Sequence, residues 1–335
     1  MVVDHNFFMA LAIKEAWRYQ GLTYPNPAVG AVVVGAFGEI LAIEAHKRAG
    51  MPHAEVNALQ VAYVKLTKND EILKLKSSQD IHNFLLKNHN GIFKNTSIYT
   101  TLEPCSHIGK TPSCASLISS LGIKKVYIGV ADLNDEASNG ADILKQNGCE
   151  VEFNILQKEA SDLLYPFKKT LKSSFVVFKW AKRMDGSFDG GTISSYSSRL
   201  RVHQMRDRCD LLVIGGKTVR VDRPTLDARL VDGKAPDVLI LSKQDKFDKS
   251  IPLFGIKNRK VFIENNLDRI KEYKNIMIEG GANMFELTKD ITDYYLCFEA
   301  PSFGGSARFE NLDEKFEILN LDKESQDIIM WLKRI

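Results

Sequence analysis

Apolar residues recur along this chain in two rhythms, a helical one and one of short continuous runs, and the order of the rhythms predicts its architecture. Phe8, Leu11, Ala12, Ala16 and Tyr19 fall at helical spacing behind Asp4, a suitable cap, and predict a helix over 4–20. Tyr24-Pro25-Asn26-Pro27 cannot continue it. The run Ala28 to Val34, a turn over Gly35 to Gly38 and the run Glu39 to Ala45 predict two strands. The first is apolar on both faces and belongs in the middle of a sheet. Pro52-His53-Ala54-Glu55 opens a second helix, with Val56, Leu59 and Tyr63 at i, i+3 and i+7. Ser97 to Thr101 reads as a strand, Ala115 to Leu121 as a helix closed by Gly122, and Lys125 to Val130 as a strand. One more helix and strand follow by residue 154. The segment 66–96, rich in Lys, Asn, Asp and Ser, carries Ile81, Phe84 and Leu85 on a helix of its own and reads as a peripheral insertion.

This alternation predicts a three-layer α/β domain over 1–155. A charged helix from Lys158 and the Tyr165-Pro166 break mark a boundary, giving a linker over 156–173 and a second domain over 174–335. The second block is strand-rich, with runs at Phe175 to Phe178, Leu211 to Gly216, Asp237 to Leu241, Lys260 to Ile263 and Asn275 to Glu279, before Gly280-Gly281 opens a helix. Parallel-type strands that end in glycine turns suggest a nucleotide site of the open-sheet kind.

The length of 335 residues fits two domains at roughly 100–200 residues each. A composition of 44% hydrophobic and 26% charged residues excludes a disordered or fibrous chain. Lys+Arg 45 against Asp+Glu 42 leaves +3, which argues against a nucleic-acid partner. The longest apolar stretch, Ala28 to Gly38, falls well short of the ~18 residues of a membrane span. Asp4 and His5 stand where a secretory signal would carry positive charge, so the expectation is a soluble cytoplasmic protein with no membrane partner.

The cysteines Cys105, Cys114, Cys149, Cys209 and Cys297 are too scattered for a disulfide framework and fit a reducing setting. Alone, Cys105 and Cys114 fit either metal ligation or two buried apolar thiols. Together with His53-Ala54-Glu55 they supply one imidazole, two thiolates and a free carboxylate. Three ligands and an open fourth position is the pattern of a catalytic zinc. Glu55, two residues from His53, does not share its helix face and serves the same site only if that site lies at the helix's first turn. A glutamate placed there can take a proton from activated water and hand it to a leaving amine.

The stretch Thr101-Leu102-Glu103-Pro104-Cys105-Ser106-His107-Ile108-Gly109-Lys110-Thr111-Pro112-Ser113-Cys114, with eight residues between its cysteines, resembles the signature of the riboflavin-pathway pyrimidine deaminases. Asn26-Pro27-Ala28-Val29-Gly30 is similar to that family's substrate-side loop. In the second half, Lys179 to Gly186, Val202 to Arg206, Gly215 to Arg229 and Glu279 to Asn283 are similar in order and spacing to the reductase domain of the bifunctional deaminase-reductase family. The resemblance implies an N-terminal cytidine-deaminase-like domain, a C-terminal α/β domain of dihydrofolate-reductase-like fold, and Zn2+ and NADPH as cofactors. It implies deamination of a phosphorylated diaminopyrimidinone riboside, followed by reduction of its ribosyl group, in a homo-oligomer (dimer or tetramer).

By the same resemblance His53, Cys105 and Cys114 hold the zinc and Glu55 is catalytic. Asn26, His107, Lys179, Gly190, Arg206, Leu226, Arg229 and Glu279 contact substrate, with Arg206 and Arg229 on its phosphate. Ala181, Thr192, Thr218, Asp222, Ser242 and Gly281 line the NADPH. Lys179 reads either as a proton donor or as a solvated strand lysine. Departures from the family pattern are the 66–96 insertion, a short helix after Gly281, and Gly190-Gly191-Thr192-Ile193 where the family commonly has a tryptophan. Two rival readings stay open: a deaminase with a non-catalytic carboxyl half, and a nucleic-acid base deaminase.

Overall fold

In the computed structural model, which describes residues 4–106, 112–132, 139–310 and 312–335, the chain divides into two units, Met1–Lys168 and Lys169–Ile335. The first begins with α1 (His5–Trp17), capped by Asp4, whose carboxylate accepts from the Phe7 N–H at 3.0 Å. The helix is shorter than 4–20 and turns a different stripe inward: Met9, Ile13 and Trp17 are buried with Phe8, Ala12 and Ala16, while Leu11 and Tyr19 are only half-buried. Next come β1 (Gly30–Val34), β2 (Ile40–Ala45), α2 (Ala54–Thr67), α3 (Ser78–Asn88), β3 (Ser97–Leu102), α4 (Cys114–Ser120), β4 (Lys125–Val130), α5 (Gly140–Gln146), β5 (Glu150–Glu152) and α6 (Gln157–Lys172), inside which the first unit ends at Lys168. The sheet runs β2-β1-β3-β4-β5, antiparallel between its first three strands and parallel from β3 onward. Every residue of β1 is buried, so both faces of the sheet are covered and the unit has three layers. Gly30 is required there, since a side chain would collide with the Ala12 carbonyl of α1.

Two sequence readings are corrected. The segment 66–96 is not peripheral: Ile72, Ile81, Leu85 and Phe93 are almost wholly buried, Tyr63 of α2 meets Phe84 of α3 edge-on at 5.4 Å, and Gln60 donates to the Ile72 carbonyl at 2.7 Å. Nor does Tyr165-Pro166 break the chain. Pro166 lies inside α6, where burial of Ala160, Leu163 and Leu164 holds the helix despite the lost N–H, and the expected linker is this helix.

The second unit contains β6 (Phe175–Arg183), α7 (Tyr196–Arg208), β7 (Leu211–Gly215), α8 (Gly216–Asp222), β8 (Asp237–Leu241), β9 (Val261–Glu264), β10 (Asn275–Glu279), α9 (Ala282–Thr288), β11 (Tyr294–Ala300), β12 (Phe316–Glu324) and β13 (Asp327–Arg334). Its sheet order is β12-β13-β11-β6-β10-β7-β8-β9, with the six strands from β11 to β9 parallel and β13 and β12 antiparallel at one edge. A core of Val176, Phe178, Val213, Leu239, Ile278 and Phe285 packs against it. Parallel neighbours β6, β10, β7 and β8 thus present four carboxyl ends along one rim, where an open α/β sheet binds its ligand.

Candidate active site

His53 is the N-cap residue of α2, so its backbone is extended while Ala54 and Glu55 are already helical. That geometry resolves the i, i+2 spacing: at the first turn both side chains reach one centre. Cys105 follows β3, and Cys114 is the first residue of α4. The His53 Nδ1 lies 3.7 Å from Cys105 Sγ and 3.5 Å from Cys114 Sγ, and the three donor atoms lie within 4.8 Å of one another. Ser113 locks the pair by donating to the Cys105 carbonyl at 3.0 Å while capping α4 through the Ser116 N–H at 3.1 Å. Glu103 accepts from the N–H groups of Asp132 and Ala141, at 3.1 and 2.9 Å, and Gly140 lets α5 press against the Pro104 carbonyl. One half-buried imidazole and two buried thiols, convergent on one point, fit a zinc ion with a position left open.

Glu55 is wholly enclosed beside this cluster, and burial pushes its pKa up to about 7. A carboxyl poised near neutrality can both accept and return a proton. A hydrogen bond from Cys114 holds the Cys105 thiol well below its ordinary range, at about 4, and drives the Cys114 thiol up. Burial alone would lower the His53 pKa, but the hydrogen bond to Cys105 and the charges of Glu55 and Cys105 raise it. The Cys105 thiolate and the proton that His53 favours are thus matched charges at the centre, while the hydrogen bond to Cys105 keeps Cys114, and burial keeps Glu55, towards the neutral form.

His46, which the sequence reading missed, joins Asn26 to the metal-ligand helix. Its Nε2 lies 3.1 Å from Asn26 Nδ2 and its Nδ1 3.1 Å from the Pro52 carbonyl, with the His46 and His53 rings edge-on at 5.6 Å. Because an amide nitrogen only donates and a carbonyl only accepts, His46 is neutral with its proton on Nδ1. Burial agrees, lowering its pKa to about 4. His82, on α3, is also buried, and among the described residues its Nε2 has no hydrogen-bond partner.

In the second unit Arg206 of α7 and Glu279 of β10 form a two-pronged pair, Nε to Oε1 at 2.9 Å and Nη2 to Oε2 at 3.0 Å. Lys179 of β6, in register with Glu279, brings its Nζ to 3.8 Å from Oε2 and 5.8 Å from the Phe298 ring. It is not a solvated lysine: burial lowers its pKa. Burial would raise Glu279, whose side chain is largely covered, but the charges of Arg206 and Lys179 hold it below the usual carboxylate range. The Arg206 fork expected on a phosphate is therefore committed to a carboxylate, leaving Nη1, which donates to the Asp227 carbonyl at 3.4 Å. Arg229 is exposed and paired with Asp227 Oδ1 at 2.6 Å.

Of the residues expected at the cofactor, Ala181, Gly281 and Ser242 lie near or just beyond strand ends of the sheet. Ala181 is near the end of β6, Gly281 just after β10, Thr218 and Asp222 on the α8 that follows β7, and Ser242 just after β8. Ser242 Oγ accepts from the Gln244 N–H at 3.1 Å and from Arg220 at 3.4 Å. Thr192 and Gly190 are exposed on the loop after the Asp185-Gly186 turn, in which Arg183 holds the carbonyl of Asp189 at 2.6 Å. That loop lacks tryptophan but carries Phe188, whose ring lies 2.7 Å from where a Gly281 side chain would start, so Gly281 is glycine for packing. Four strand ends converging on one rim suit an extended dinucleotide.

Comparison with known proteins matches residues 2–130 to the cytidine and deoxycytidylate deaminase zinc-binding region and residues 174–328 to the RibD C-terminal domain. The chain is 28% identical over 380 residues to the riboflavin biosynthesis protein RibD of Aquifex aeolicus, covering 99% of each. The chain belongs to the RibD family. A second RibD relative, from Bacillus amyloliquefaciens, is 34% identical over 243 residues, 70% of this chain and 58% of that protein. The solved structure of the Thermotoga maritima diaminohydroxyphosphoribosylaminopyrimidine deaminase/5-amino-6-(5-phosphoribosylamino)uracil reductase superposes with a TM-score of 0.63 at 26% identity, covering 98% of each chain.

RibD membership favours two catalytic halves over either rival reading. His107 lies outside the described residues. No helix among the described residues is long and apolar enough to cross a membrane.

Proposed function

We propose that this chain performs two consecutive steps of riboflavin biosynthesis, with the residues below in the named roles. It is a bifunctional deaminase and reductase, dependent on zinc and NADPH. The observation that carries the reading is the His53, Cys105 and Cys114 donor set with Glu55 enclosed beside it, in the same chain as a parallel sheet whose rim holds Lys179, Glu279 and Arg206.

When bound, zinc supplies Lewis-acid activation of water near neutral pH. Glu55 takes the proton from the water that adds to C2 of the diaminopyrimidinone and returns it to the departing amine, so ammonia leaves. Asn26, oriented by His46, and His107 hold the substrate ring against that centre. NADPH supplies the reducing equivalent for the second step, at C1′ of the ribosylamino group. Lys179 donates the proton that the opening sugar needs, and Glu279 holds a sugar hydroxyl. Arg229 and the remaining edge of Arg206 face the phosphate, fixing the sugar toward the rim. Ala181, Thr192, Thr218, Asp222, Ser242 and Gly281 line the nicotinamide dinucleotide, and Gly190 and Leu226 shape the substrate side.

The protein acts in the cytoplasm, a compartment that suits its five free cysteines. It forms a homo-oligomer, for which β12 offers an edge strand with Ile318 and Leu321 exposed. NADPH titration followed by fluorescence tests the second half: saturable binding is expected, and none would leave a deaminase alone.

A further inference from the structure

Arg259, in the loop before β9, spends its hydrogen bonds on the backbone of other loops. Its Nη1 donates to the Leu226 carbonyl at 2.6 Å, and its Nη2 donates to the carbonyls of Thr225 and Leu253, each at 2.7 Å. The Leu253 N–H in turn donates to the Pro224 carbonyl at 3.1 Å, and Leu253 is fully buried. Residues 224–226 are therefore fixed at every carbonyl. Among the described residues Arg259 makes no ion pair, and its Nε is buried without a partner.

What this clamp holds is unusual. Leu226 is buried with φ 57°, a left-handed conformation that costs any residue bearing a Cβ and persists only where its surroundings enforce it. The next residue, Asp227, gives its carbonyl to Arg206 and its carboxylate to Arg229. A lysine could not reproduce the contact, because one ammonium cannot span three carbonyls in a planar fork.

We infer that Arg259 is a positioning residue for the reduction: by holding Leu226 left-handed it sets Asp227, and through Asp227 the placement of Arg206 and Arg229 around the anionic end of the substrate. The inference rests on reading those two arginines as the phosphate-facing pair. It assigns the function of the turn to a side chain whose hydrogen bonds all go to backbone carbonyls.

Steady-state reduction of the deaminated substrate by the full chain, with R259K, R259Q and R229Q, tests it. R259K, which keeps the charge, is the variant expected to fold if R259Q does not. The substrate KM should rise on the order of 10-fold in the Arg259 variants, while kcat and the KM for NADPH shift less than about 3-fold and ammonia release is unchanged. If R259K instead lowers kcat and raises both KM values alike, or leaves the substrate KM unchanged while R229Q raises it, Arg259 is not a positioning residue, and the phosphate reading survives the second result. If R229Q leaves the substrate KM unchanged, the phosphate reading falls and takes the inference with it.

Discussion

Arg206 and Glu279 face each other across two parallel hydrogen bonds of 2.9 and 3.0 Å, and Lys179 completes the group from the neighbouring strand. Both cations are largely buried, with side-chain exposures of 12% and 14%, so the single carboxylate compensates two charges. Glu279→Gln leaves both uncompensated. Breaking a buried pair this way costs about 3–5 kcal/mol, so urea unfolding should show a destabilised second unit, with reduction lost and ammonia release retained. An unchanged midpoint would mean that water already solvates the two cations without the carboxylate.

Glu55→Gln removes the proton carrier and leaves all three metal donors in place. Zinc content should be unchanged and ammonia release should fall by about 10²–10⁴-fold, while NADPH oxidation with the deaminated intermediate continues. Cys114→Ser should instead lower the zinc-to-protein ratio. If both activities fell together in Glu55→Gln, the two chemistries would not be separate.

His46 is buried neutral, with its pKa lowered from 6.5 to about 4 by desolvation. The unfolded chain takes up a proton near 6.5 and the folded one does not until about 4. The contribution to stability is therefore whole above pH 6.5 and is lost as pH falls through 4, at most about 3 kcal/mol in all. His46→Asn lacks this linkage, so its deficit against the parent chain should narrow between pH 6.5 and 4 in urea titrations. Parallel profiles would show that His46 is already charged.

The hydrophobic rhythm located most elements because β1, β4 and β7 are buried along nearly their whole length and appear as largely apolar runs. The zinc cluster was legible because Pro52 fixed the start of α2 and so the meaning of the His53 and Glu55 spacing. His46 was not, since its part depends on a hydrogen bond to Asn26 across twenty residues of chain. Its signal was one imidazole seven residues before another. The sequence reading does not place β11, β12 and β13; β13 carries the continuous apolar run Ile328 to Leu332, yet its burial alternates, with Asp327, Ile329 and Trp331 inside and Ile328 exposed. The Arg206 and Glu279 pair joins residues 73 apart, a distance over which no local pattern carries information.

The central claim is that one chain carries two chemistries in a fixed order, and a paired assay with and without a zinc chelator tests it most directly. With the diamino substrate and NADPH the untreated protein should release ammonia and oxidise NADPH, and the chelator should stop both. With the deaminated intermediate, NADPH oxidation should proceed at the same rate with or without the chelator. NADPH oxidation from the diamino substrate in the chelated protein, or none from the deaminated intermediate, would contradict the account.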